Sequence, residues 1–184
     1  MEINYDIEKR KMKNICYTIS ILLFLTSCQE NEAKKVVQEI PRLRYVEDIA
    51  PDELIDDPNF NTCNGENVLQ YFNVGNGLEY EGGKRTILDT FKNKYKVPKR
   101  SEFSGLIRVR FIVNCNGSSG RFRHLSMDYN YKEVEAPESI IDQLVTITQK
   151  LDKWSIKRVD DFPIDYYQYL SFKIENGQIV KILP

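Results

Sequence analysis

The run Leu106-Ile107-Arg108-Val109-Arg110-Phe111-Ile112-Val113-Asn114 decides how this chain is read. Ile107, Val109, Phe111 and Val113 alternate with Arg108, Arg110 and Ile112, the two-residue period of a strand with one apolar face. The next seven residues, Asn114-Cys115-Asn116-Gly117-Ser118-Ser119-Gly120, are a turn by composition. Residues 121–129 then read as a returning strand, which completes a hairpin.

Upstream, residues 84–95 place Ile87, Leu88, Phe91 and Tyr95 at helical spacing, with Gly82-Gly83 before them and Pro98 after. Downstream, residues 137–154 predict a second helix. Ile140, Leu144, Ile147, Leu151 and Trp154 recur every three or four positions, and Pro137 suits a first helical turn. Residues 164–174 predict a long strand. Ile164, Tyr166, Gln168, Leu170, Phe172 and Ile174 share one face, and Asp165, Tyr167, Tyr169, Ser171 and Lys173 share the other. Asn176-Gly177 is a strong hairpin signal that leads into residues 178–183. The expected fold is α+β: a small antiparallel sheet of three to four strands with two helices packed on it, in the order α-β-β-α-β-β.

The N-terminus speaks for a compartment. A short basic region at Met12-Lys13-Asn14 precedes eleven mostly apolar residues, Ile15 to Leu25. As a helix these rise only about 16 Å, too short for a ~30 Å hydrocarbon core, so a signal-peptide core is the better reading. The stretch ends in Leu25-Thr26-Ser27-Cys28, which resembles a bacterial lipobox. That resemblance implies a signal peptide over residues 1–27 and a lipid-modified Cys28 at the start of the mature chain. Met12 then stands as an alternative start. The expected location is the bacterial cell envelope, anchored through lipid on Cys28. Gln29 after the cysteine favours the outer over the inner membrane.

Cys16 leaves with the signal and Cys28 carries lipid, so Cys63 and Cys115 remain, an even pair in an oxidising compartment. A disulfide between them is expected to contribute about 4 kcal/mol in the chain-entropy model. Residues 28–60 hold nine acidic and four basic residues, punctuated by Pro41, Pro51 and Pro58, and read as an acidic solvated tether. The cluster Asp52-Glu53 and Asp56-Asp57 lacks the glycine and alternating oxygen ligands of a calcium loop. Residues 61–184 form the folded domain.

The order of elements and their residues resemble the C-terminal domain of TonB, the envelope energy transducer. Glu79-Tyr80-Glu81-Gly82-Gly83 through Leu88, Tyr95 and Pro98 resemble its lead-in. Ser104 to Asn114 with Gly117 resembles its central strand and turn, Trp154 its post-helix tryptophan, and Tyr169 to Gly177 its closing strand. There are departures. Trp154-Ser155-Ile156-Lys157 replaces the family's Trp-x-Pro-Gly, and the stretch between Pro98 and Gly105 is short. The membrane-spanning helix and the long proline-rich rod of an energy transducer are not seen in the sequence.

The resemblance implies that a partner peptide adds as a strand beside Tyr166, Tyr167, Gln168, Tyr169, Leu170, Ser171 and Phe172. The implied partner is a strand of an outer-membrane transporter or a related envelope protein. The alternative is a structural envelope lipoprotein that kept the fold without energy transduction. Arg108, Arg110, Arg121 and Arg123 form a candidate basic face for acidic groups, peptidoglycan among them, although the parity of Leu125 and Met127 demands a bulge. With a net charge of −1, no whole-chain basic footprint points to nucleic acid. His124 is the single histidine and has no partner motif, so it reads as a structural strand residue. No nucleophile, metal or phosphate-loop constellation is seen. Neither an enzyme nor a cofactor is expected.

Overall fold

The computed structural model describes residues 48–70, 78–99 and 101–183. The stretch read as a signal peptide, Cys28 and the part of the expected tether up to residue 47 lie outside them. No helix among the described residues is long and apolar enough to cross a membrane.

The elements are β1 (Val68–Leu69), α1 (Gly83–Lys94), β2 (Gly105–Val113), β3 (Ser119–Met127), α2 (Glu138–Gln149), β4 (Lys157–Val159), β5 (Phe162–Glu175) and β6 (Gln178–Leu183). The fold is α+β, as expected, but the sheet is larger and mixed. It has six strands and is open, running β1-β5-β2-β3 with β4 and β6 also paired to β5. Two additions break the expected antiparallel order. β1 pairs parallel with Asp165 and Tyr166 of β5. β4 forms a tight hairpin with Phe162 to Ile164, turning through Asp160 and Asp161, both at positive φ.

β2 lies antiparallel between β3 and β5, with Val109 opposite His124 on one side and Leu170 on the other. Its alternation is realised. Ile107, Val109, Phe111 and Val113 join Tyr166, Leu170, Phe172 and Ile174 in one core with Ile87 and Phe91 of α1 and Ile140, Leu144 and Ile147 of α2. Large side chains removed from water on that face supply the main stabilisation, roughly 1.5–3 kcal/mol each. Phe91 meets Phe172 at 4.8 Å between ring centroids.

The second helix ends at Gln149, earlier than the periodicity predicts. Leu151 and Trp154 are still buried, but in a returning segment. Backbone bonds from Glu81 to Lys153 and from Ser155 to Glu79 draw that segment into a bridge between Tyr80 and Trp154. The apolar spacing therefore reports contact with the core and not helical continuation. At the other turn, Asn176 (φ 48°) and Gly177 (φ 76°) join β5 to β6 as their sequence predicts.

Candidate functional site

Cys63 and Cys115 are joined by a disulfide. It fastens the segment entering the sheet to the turn between β2 and β3. Beneath it lies Asp165, fully buried, whose carboxylate accepts backbone N–H bonds from Cys63 (3.0 Å), Asn64 (2.8 Å) and Cys115 (2.9 Å). A buried carboxylate is tolerated only with such partners. The two sulfurs and the carboxylate lie within 4.8 Å of one another. The sulfurs are spent in the disulfide and offer no thiolate to a metal. The trio is a structural clamp. Sequence reading set Asp165 on the outer face of β5. An acidic residue at the head of an apolar strand was the one signal that could have marked it.

The seven candidate edge residues divide by face. Tyr166, Gln168, Leu170 and Phe172 are interior, and the Tyr166 hydroxyl donates to the Ser155 carbonyl at 2.8 Å. Tyr167, Tyr169 and Ser171 lie on the opposite face, half-buried. The Tyr167 hydroxyl reaches Asp48 at 3.4 Å, and burial, with that carboxylate beside it, raises its pKa above the ordinary phenol value. Arg108 lies 5.5 Å from the Tyr169 ring centroid and donates from Nε to the Ser171 hydroxyl at 3.3 Å. The Tyr169 N–H donates to the Gln168 side chain at 2.9 Å, so that backbone donor is occupied.

β5 is not a free edge. β2 covers one side at residues 166–174, while β1 and β6 take the other at residues 165–166 and 171–175. Among the described residues, positions 167–170 on that second side lack a paired strand.

The arginines are brought together by a bulge between Arg110 and Ile112. Arg121 and Phe122 together face the single position of Phe111, and Arg121 takes φ 52°. Beyond the bulge Arg123 sits opposite Arg110.

Here the tether reading is corrected for residues 48–60. They form a strap on the domain. Arg123 makes a two-pronged ion pair with Asp56 (2.7 and 3.0 Å) and donates to the Ala50 carbonyl (2.8 Å). Arg121 grips Glu66 (3.0 and 3.2 Å) and donates to the Ile49 carbonyl. Ile49 is buried, and the Phe60 ring fills the space over Gly120, where any side chain would collide with it. Hydrogen bonding to Arg123 holds the Asp56 carboxyl below its ordinary pKa of 3.8. The acidic composition that suggests a solvated linker is here charge complementarity to Arg121 and Arg123, so these two already hold carboxylates of their own chain.

Sequence reading missed one more feature. An open groove of about 440 Å³ runs beside the outer side of β3, lined by His124, Ser126, Glu133, Glu135, Glu138 and Ile141 among others. His124, exposed on β3, is a wall of this groove. Only the fold gathers the carboxylates of the loop before α2 next to a strand edge.

Neither a family model nor a curated protein nor a solved structure matches this chain.

Proposed function

We propose that the protein is a lipid-anchored interaction module of the bacterial cell envelope. Acyl chains on Cys28 hold it at the membrane, the outer in preference to the inner, and the domain takes an extended strand of an outer-membrane transporter or related envelope protein at the β5 flank. The observation that carries this reading is the interrupted flank itself. Tyr167 to Leu170 lie between the ends of β1 and β6, with tyrosines on the side that faces away from the helices. The Cys63–Cys115 disulfide agrees with an oxidising compartment. The resemblance to the TonB C-terminal domain supplies the partner class. A full strand needs β6 displaced over residues 171–175.

Photocrosslinking from position 169 in whole cells tests the reading. Transporter barrels among the adducts are the expected result, and release of the protein from membranes in Cys28→Ala is expected with it. Labelled palmitate entering Cys28→Ala would refute the anchor.

A second reading has its own observation. Ile182 of β6 is 3% exposed and belongs to the core, so the tail seals the edge as a built-in strand. That favours a structural envelope lipoprotein without strand exchange. Retention on purified peptidoglycan, with no transporter adducts, would select it.

A further inference from the structure

The outer side of β3 is a ladder begun and then interrupted. The Val134 N–H donates to the Ser126 carbonyl (3.1 Å) and the Asp128 N–H to the Lys132 carbonyl (2.8 Å), on either side of a Met127–Glu133 bridge. The Ser126 carbonyl therefore points away from β2. In an antiparallel ladder the direction repeats every two residues, so the N–H and carbonyl of His124 point outward as well. Among the described residues no strand pairs with this side of β3 at His124.

The groove lies against that edge. Glu133, Glu135 and Glu138 border it, all exposed, and among the described residues none is paired with a cation. Ser126 also lines it. Ser126 is 6% exposed, and among the described residues its Oγ has no hydrogen-bond partner. A buried hydroxyl without a partner is rare enough to require an explanation. Val134, Ala136 and Ile141 add an apolar wall that suits the methylene stem of a long basic side chain.

We propose that the β3 edge and this groove bind an extended peptide segment of a partner protein, carrying a lysine or arginine side chain. The peptide backbone continues the ladder at His124. The basic side chain lays its stem on Val134, Ala136 and Ile141 and its charge among Glu133, Glu135 and Glu138. A donor from the peptide satisfies the Ser126 hydroxyl. A second copy of this chain is a poor occupant, because edge-to-edge pairing would bring two sets of the same carboxylates together. Anionic lipid is repelled for the same reason. This site is separate from the β5 flank and stands or falls independently of it.

The test titrates the full-length protein with an acetylated, amidated heptapeptide of alternating threonine and lysine, and with its glutamate counterpart. NMR follows binding and the exchange of the His124 amide. The expected result is saturable binding of the lysine peptide alone, with His124 exchange slowed at least tenfold. Glu135→Lys combined with Glu138→Lys should weaken binding about tenfold, since two exposed pairs are reversed. Ser126→Ala, which leaves the surface charge intact, should weaken it about threefold. Equal binding of the glutamate peptide overturns the proposal. So does lysine-peptide binding without protection of His124, or full affinity in either folded variant.

Discussion

On its β5 side the chain fills most of its own ladder, and among the described residues only positions 167–170 lack a paired strand. β6 returns through Asn176-Gly177 and buries Ile182, while β1 is held alongside Asp165 and Tyr166 under the disulfide. On its β3 side, among the described residues, the chain pairs only the last positions, through Glu133 and Val134, and then turns away into α2. The difference is one of investment. The first side is closed by a covalent bond, a buried carboxylate and a core isoleucine. Among the described residues, the second is left with outward backbone groups, carboxylates without a cation and a hydroxyl without a partner. Long open edges invite association, and the charges around β3 are a common means of limiting it to selected partners.

The comparison can be broken most severely at the disulfide. Cys63→Ser with Cys115→Ser opens a closure spanning 52 residues and should cost about 4 kcal/mol. Urea unfolding of the oxidised wild type against the variant measures it. Asp165→Ala should come next, at about 3 kcal/mol. It leaves the N–H groups of Cys63, Asn64 and Cys115 without their acceptor while the disulfide stays intact. Amide exchange should rise first at residues 63–69 and leave β3 unchanged.

A third substitution sharpens the contrast within β6. Ile182→Ala should destabilise by about 2 kcal/mol, whereas Val180→Ala, at an exposed position of the same strand, should change stability by less than about 0.5 kcal/mol. Equal small effects would mean that the tail merely lies on the edge, and strand exchange at β5 would then be easy.

The smallest effect concerns the strap. Asp56→Asn should cost about 1 kcal/mol near neutral pH, because the Arg123 pair is partly shielded from water. Its folded pKa lies below the ordinary 3.8, so the contribution is present above that value and fades as pH falls through the folded pKa. The stability gap between wild type and Asp56→Asn should be constant from pH 7 to 5 and close below about pH 4. A gap that persists in acid would mean that Ile49 and the Ala50 carbonyl hold the strap without the ion pair.

Much of this protein was legible in its sequence. Periodicity of two identified β2 and β5, the turn after β2 pointed to a returning β3, and Asn176-Gly177 identified β6, because each of these signals is local. The first helix fell within a residue of its predicted span for the same reason. The pairing of Cys63 with Cys115 followed from counting cysteines. The tertiary structure decided what depends on distant partners. Val68–Leu69 is too short to carry a pattern and becomes a strand only because the disulfide and Asp165 bring it to β5. Asp160-Asp161 makes a tight turn without glycine because β4 and β5 pair across it. The acidic residues 48–57 read as solvated until Arg121 and Arg123 appear beside them, and the groove at β3 exists only where a loop and an edge meet. Local pattern reports which face of an element is buried. Which elements stay side by side, and what an edge offers to a partner, depends on contacts between residues far apart in the chain.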